Sequence, residues 1–490
     1  MKVSSGIMMS LASGPDSAAA LHWTRGQLSR VPDHGRPMRR SNSSALATFT
    51  LALLVWPLSG SAQVAGEFSF EEYHLDNGLH VILAPDEDAT AVAVNLWYRA
   101  GSRNEPPGRS GFAHLFEHLM FQGSENVEPG GHFQMIERAG GSLNASITED
   151  RTNYFQTVPP ERMNLALWLE SDRMRSLRIT EENMAREVEV VKEERRLRID
   201  NAPYGTSQLQ SGYYAAYDSA SCFTYAHSVI GSMEDLDAAE LPDVQEFFDL
   251  YYAPNNATLV VVGAFDPEEA RGLVDEYFAE IPRGNDPPQM SCEDPFSHLP
   301  VEMEVSDPNA QLPAVWISYG IIERDHPDAP ALGVLGQILG SGQSSRLNVR
   351  LVREEQAAVQ ASGGSTPRLG PGIFRVIAIA NQGVEPERLL ELIDEEIDRI
   401  REDGVSESEL ERAKNQVRAG AILSRQTVMG RAEALQSANH FHGTPDAIVT
   451  NVTLVEEVSA DDVQRAARQY LSPDNRAVII TRPGNQEEDR

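Results

Sequence analysis

Residues 111–123 read GFAHLFEHLMFQG, and they set His114, Glu117 and His118 three and four positions apart in an otherwise apolar segment. At about 100° per residue these three side chains share one helical face, within an arc of roughly 100°. Phe112, Leu115, Phe116, Leu119 and Met120 take the opposite side. Ser110 is expected to cap the start and Gly123 to end the helix. Two imidazoles at i and i+4 can present ring nitrogens to one zinc ion, and a carboxylate between them can take a proton from a water activated by that ion. Glu117 would then act as general base and later return a proton to a leaving amine. The competing reading is a core helix with two satisfied histidines. With 12 His in 490 residues, however, an H-x-x-E-H match arises by chance on the order of 0.03 times per chain. The pattern still needs a third ligand.

The chain is long enough for two or more domains, and 41% hydrophobic with 23% charged residues is a globular balance. Its one membrane-like run, ALATFTLALLVWPL at 45–58, follows Arg39 and Arg40 and precedes Ser59, Gly60, Ser61 and Ala62. Fourteen residues with these flanks match a secretory signal peptide rather than a span, with cleavage expected after Ala62 and the true start at Met38. Removing residues 1–62 takes 6 of the 41 basic and 2 of the 73 acidic residues, leaving 35 and 71 and a net charge of −36. That balance argues against nucleic acid or an anionic membrane as partner. Cys222 and Cys292 are the only cysteines; in an oxidising compartment they could pair, and they have no zinc-cluster spacing.

From residue 67 the pattern predicts a hairpin around Asn77-Gly78, then a strand over 91–98 that feeds the metal-site helix through the loop 100–110. A short helix over 131–139 ends at Gly140-Gly141, and residues 142–158 read as two strands joined near Glu149-Asp150-Arg151. A free strand edge beside the metal helix could pair with an extended peptide through main-chain hydrogen bonds. Helices are expected over 160–177 and 181–200, the second with Thr180 as its cap. Within that helix Glu187, Val190, Val191 and Glu194 follow i, i+3, i+4 and i+7, so both carboxylates share a face with valines between them. Carboxylates on an apolar stripe are costly unless they meet a cation. Residues 284–299, rich in Pro, Asp and Ser, read as a linker.

Beyond it the order repeats in part. A strand over 312–319 precedes a helix over 328–340, as 91–98 precedes the metal helix, and a strand over 372–380 with the helix 386–403 echoes 259–279. The expected architecture is therefore α+β, with two homologous domains, each a mainly antiparallel sheet carrying helices. Their expected extents are 67–283 for the metal-bearing copy, 300–483 for the copy without metal, and 484–490 for a tail.

These residues resemble the pitrilysin and mitochondrial-processing-peptidase family of zinc metallopeptidases, whose inverted motif is H-x-x-E-H. The resemblance extends over about residues 67–483 and includes Gly140-Gly141, YYAPNNATLVVVGAFDPEE, SSRLNVRLVREEQ, SELERAKNQV and SADDVQRAARQYLSPDNRAVII. It implies that the two domains enclose a chamber, and one zinc ion per chain, with Glu194, 76 residues past His118, as third ligand beside His114 and His118. Glu187 becomes the supporting acid, and Asn144-Ala145 the strand that receives substrate. The adjacent Glu193 points off that face. Where the family pattern has an Arg and a Tyr that hold the substrate carbonyl, this chain has Arg353 and Gln360. The departure implies a heterodimer in which a zinc-free homologue supplies the Arg and Tyr. The expected function is a periplasmic or secreted zinc metalloendopeptidase subunit acting on peptides or unfolded segments. The alternative is a non-proteolytic interaction or assembly subunit of the same fold.

Overall fold

Two sheets with one strand order organise the protein, which we describe from a computed structural model covering residues 69–484. The expected targeting segment, with Met38 and the cleavage point after Ala62, and residues 485–490 of the tail lie outside the described residues. The first sheet takes β1 (Glu71–His74), β2 (His80–Pro85), β3 (Val92–Tyr98), β4 (Ser142–Ile147), β5 (Thr152–Val158) and β6 (Ala257–Gly263) in the order β1-β2-β6-β3-β5-β4. The second takes β7 (Val301–Asp307), β8 (Ala314–Ile321), β9 (Ala358–Thr366), β10 (Gly372–Ala380) and β11 (Arg476–Pro483) in the order β7-β11-β8-β10-β9. Reading β2 to β6 as β7 to β11 makes the two orders coincide. Even the parallel pair recurs, β2 with β6 and β7 with β11, among otherwise antiparallel neighbours.

This topology corrects one of the echoes expected from sequence. The strand β10 and its following helix match β5 and the helix after it, whereas β6 is matched by the closing strand β11. Both β5 and β6 precede a helix, so local pattern alone could not tell which one β10 repeats.

The hairpin β1–β2 forms where Asn77-Gly78 predicts it. Gly78 has φ +92°, Asn77 Oδ1 accepts the Leu79 N–H, and Asn77 Nδ2 donates to the carbonyls of Phe278 and Ile281. Along β2, β3 and β6 alternate residues face opposite ways. Val81, Leu83, Val94, Leu96, Leu259 and Val261 join one core with the helices α1 (Phe112–Leu119), α2 (Gly131–Arg138), α3 (Met163–Ser176) and α4 (Glu181–Arg195). Ile82, Ala84, Ala93, Val260 and Val262 face the other way, onto Ala432, Leu435 and Ala438 of the helix Val428–His442. That helix comes from the second half. The loan is returned, because Ala314, Trp316, Ala477 and Ile479 of the second sheet pack against Ala215 and Tyr204 of the first half, and the Ser207 hydroxyl meets that of Thr481 at 2.7 Å.

A disulfide joins Cys222 to Cys292, fastening the segment between the two sheets to the first half. Among the described residues no helix is long and apolar enough to cross a membrane.

Candidate metal centre

The helix α1 is started by a residue the sequence pattern does not point to. Ser110, the expected cap, instead donates its N–H (2.9 Å) and its hydroxyl to Asp235. Gly111 takes the N-cap position at φ +93°, where an added Cβ would lie 3.0 Å from the Gly231 Cα. The helix N–H groups of Gly111 and Ala113 donate to the carboxylate of Glu105 at 2.9 and 2.7 Å. Glu105 is buried, and its Oε2 also lies 3.0 Å from His227 Nε2. At the other end α1 stops at Leu119, four residues short of Gly123.

All eight residues of α1 are buried, including His114, Glu117 and His118. Across from them α4 starts at Thr180, whose side chain accepts the Asn183 N–H as expected, and ends at Arg195 in a π-helical turn, Arg196–Asp200, where one continuous helix was expected. Val191 is buried on its inner face and Val190 is 43% exposed, so only one of the two valines lies between the carboxylates in the core. Glu193 turns outward to Arg196 at 3.1 Å. Glu194 turns inward.

Glu194 Oε2 lies 3.6 Å from His114 Nε2 and 3.4 Å from His118 Nε2. Donor atoms held about 2.05 Å from a tetrahedral zinc ion stand about 3.3 Å apart, so the three residues have the spacing of a zinc ligand set. Among the described residues they are the one group of three His, Cys, Asp or Glu side chains whose donor atoms all lie within 4.8 Å of one another. Both Nε2 atoms are buried and have no hydrogen-bond partner among the described residues, which suits a cation between them.

The surrounding charges orient this set. His118 turns its second nitrogen, Nδ1, toward Glu187 Oε2 at 3.4 Å, and Glu187 Oε1 lies 3.2 Å from Arg186 Nε. Glu194 Oε1 is held 2.7 Å from an Arg198 guanidinium nitrogen. Sequence reasoning missed both arginines, because in a helix this rich in charge an inward-serving Arg looks like any solvated one. Burial, and then the neighbouring His118, lowers the His114 pKa to about 3, which keeps the ring neutral and ready to donate a lone pair. Burial alone would also depress His118, but Glu187 and Glu194 outweigh it and raise that pKa to about 9. Burial raises Glu117 to about 7, the range in which a carboxylate can both take and return a proton. Glu194 is lowered: burial pushes it up, and His118, His114 and Arg198 more than reverse this.

The other expected site residues divide. Asn144 and Ala145 lie on β4, whose far edge pairs with no strand among the described residues, and α1 packs over it. The Ala145 N–H is met by the side-chain oxygen of Asn144 at 2.9 Å. Arg353 stands exposed near the end of the turn Asn348–Glu354, and Gln360 is exposed on β9. Among the described residues neither has a hydrogen bond or ion pair to His114, Glu117, His118 or Glu194.

Two family models match the chain: "Insulinase (Peptidase family M16)" over residues 80–213 and "Peptidase M16 inactive domain" over residues 238–417. The zinc protease PqqE of Helicobacter pylori is 29% identical over 420 residues, spanning 84% of this chain and 93% of that one. A probable mitochondrial-processing peptidase subunit beta of Arabidopsis thaliana is 23% identical over 84% of this chain and 77% of its own length. A crystal structure of a protease from Helicobacter pylori superposes with a TM-score of 0.79 at 28% identity, covering 85% of this chain and 99% of that one. With two sheets of one topology and two family models placed in turn along it, the chain belongs to the insulinase family, peptidase family M16, and has a zinc-protease-like fold.

Proposed function

We propose that the protein is a zinc metalloendopeptidase that hydrolyses peptides or unfolded segments, with one zinc ion per chain held by His114, His118 and Glu194. The observation that carries this reading is the convergence, on one Glu194 carboxylate oxygen at 3.4 and 3.6 Å, of two imidazole nitrogens that have no hydrogen-bond partner among the described residues, beside a second, buried acid, Glu117. Zinc, when bound, supplies a Lewis acid that makes water a nucleophile near neutral pH and polarises the scissile carbonyl. Glu117 takes a proton from the attacking water at its carboxylate and later delivers one to the leaving amine. Glu187 fixes the ring of His118 through Nδ1 so that Nε2 faces the ion. The free edge of β4, at Asn144-Ala145, offers main-chain groups to an extended peptide with little demand on its sequence.

Arg353 would hold the substrate carbonyl, but Gln360 stands where a Tyr is expected to share that task. A tetrahedral oxyanion gains about 3 kcal/mol from each well-placed donor. We therefore infer a heterodimer with a zinc-free homologue that brings an Arg and a Tyr, working in the periplasm or outside the cell after removal of a signal peptide that ends near Ala62. Exposed Arg353 and Gln360 also favour the second reading, a non-proteolytic assembly subunit. Metal analysis and a peptide-library assay decide between them. Stoichiometric zinc, with cleavage abolished by Glu117→Gln, is the expected result; a purified native chain without zinc and without cleavage overturns the enzyme. Full activity of the chain alone, unchanged by a homologous partner, would overturn the heterodimer.

A further inference from the structure

The start of α1 is held by a buried ion pair between Glu105, in the loop that leads into the helix, and His227, 122 residues further along the chain. Glu105 receives the Gly111 and Ala113 N–H groups, one through each carboxylate oxygen, and these are among the donors a helix leaves unpaired at its start. His227 approaches the same carboxylate with Nε2, which also lies 2.8 Å from the Ser102 carbonyl, while its Nδ1 lies 2.7 Å from the Phe223 carbonyl. Among the described residues every polar partner of this ring is an acceptor, and Phe223 stacks on its face. Both nitrogens must therefore donate, which makes His227 an imidazolium and Glu105 its carboxylate partner. Glu105 is 3% exposed and His227 4%, so water competes little with either.

The clamp bears on the metal centre through the helix backbone. His114 directly follows Ala113, and its Nδ1 has no hydrogen-bond partner among the described residues, so no side chain steers the ring from behind. Its place opposite Glu194 is set by where the first turn of α1 sits. The segment carrying His227 is anchored in turn: Cys222 is joined to Cys292, the Tyr225 hydroxyl donates to Asp150 at 2.7 Å beside the β4–β5 turn, and that hydroxyl accepts the Gly370 N–H from the second half at 2.8 Å.

We propose that Glu105, held by protonated His227, is a positioning residue that keeps His114 and Glu117 in register with Glu194; this rests on the zinc-peptidase reading of the site. The variant Glu105→Gln in the full mature chain keeps the size of the side chain and loses the charge that pairs with His227. Zinc affinity, read by competition with a chromogenic chelator, is expected to fall about 10-fold or more, as when a group that supports a ligand is lost. Backbone amides of α1 are expected to exchange with deuterium faster in the variant than in the parent chain, both stripped of metal.

A buried-charge control separates positioning from loss of stability. Glu396→Gln removes a buried acid of the second half that pairs with Arg399, and it is expected to leave zinc affinity unchanged. Parent-like zinc affinity and parent-like exchange in Glu105→Gln overturn the proposal, as does an equal loss of affinity in Glu396→Gln. If the parent chain itself takes no zinc, the reading of the site fails instead, and the exchange rates of α1 still decide whether Glu105 clamps it.

Discussion

Each half lays a helix over the equivalent edge strand of its own sheet, and the two use that contact in opposite ways. In the first half α1 covers β4 and carries His114, Glu117 and His118 into the interior. In the second, the helix Ala329–Gly340 covers β9 with no His and no acid. There the backbones touch: a Cβ on Gly340 would lie 2.0 Å from the Gly363 nitrogen, and one on Gly336 3.0 Å from the Gly364 Cα. One copy keeps three ionisable groups dry, at a desolvation cost that a bound cation would offset. Its twin fills the equivalent space with glycine against glycine. The backbone plan is shared, and the chemistry is a property of the side chains grafted on one copy of it.

The comparison is broken most sharply at Glu117. If only the first half does chemistry, Glu117→Gln is expected to retain one zinc ion per chain and to lower peptide cleavage by about 10²- to 10⁴-fold, the worth of a general base. Steady-state cleavage of a fluorogenic peptide reads it. Activity that survives this change would mean that the second half, or no part of this chain's metal centre, carries the reaction.

On the second half the matching test is steric. Gly340→Ala drives a methyl group into the backbone of Gly363 and is expected to cost about 2–3 kcal/mol of stability, read as a shift of the denaturation midpoint. Gly333→Ala, on the same helix with nothing within 4 Å of the added atom, is expected to be neutral or to stabilise by up to about 1 kcal/mol. Equal effects would mean that the glycine contact does not seal this half.

Much of the site was legible because it is written in helix periodicity. His114, Glu117 and His118 in one helix, and Glu187 with Glu194 in another, occupy fixed angular positions that spacing reveals. That the two helices face one another came from resemblance, not from pattern. Glu105 was hidden because its link to α1 and to His227, 122 residues away, is made by irregular loops, for which sequence has no periodic signal. Ser110 looked like the cap since capping is judged from immediate neighbours. The sheet order was illegible for a related reason: apolar strands state that they are buried, and say little about which strand lies alongside.

Glu187 tests whether the proposed metal site of the first half depends on its outer carboxylate. Glu187→Gln is expected to weaken zinc binding about 10- to 100-fold, measured by chelator competition, and to leave the fold intact. Parent-like affinity would place Glu187 outside the working site, despite its 3.4 Å approach to His118 Nδ1.

The gentlest test uses the proton that zinc must displace. In the metal-free chain burial acts to lower the His118 pKa, yet Glu187 and Glu194 hold it near 9, above the ordinary value of 6.5. A raised value means that the folded chain binds this proton more tightly, so through pH 7 to 8 His118 is protonated and the proton competes with the cation. Apparent zinc affinity should therefore rise about tenfold per pH unit over that interval and level off above about 9, with close to one proton released per ion bound. Calorimetric titrations in two buffers of different ionisation enthalpy count that proton. Glu187→Gln removes one of the carboxylates that hold it, so the same titration on the variant should release fewer protons near pH 7 even as it reports weaker binding. Weaker binding with undiminished proton release would assign the raised His118 pKa to Glu194 and Glu117, and Glu187 would then act by aiming the ring rather than by charging it.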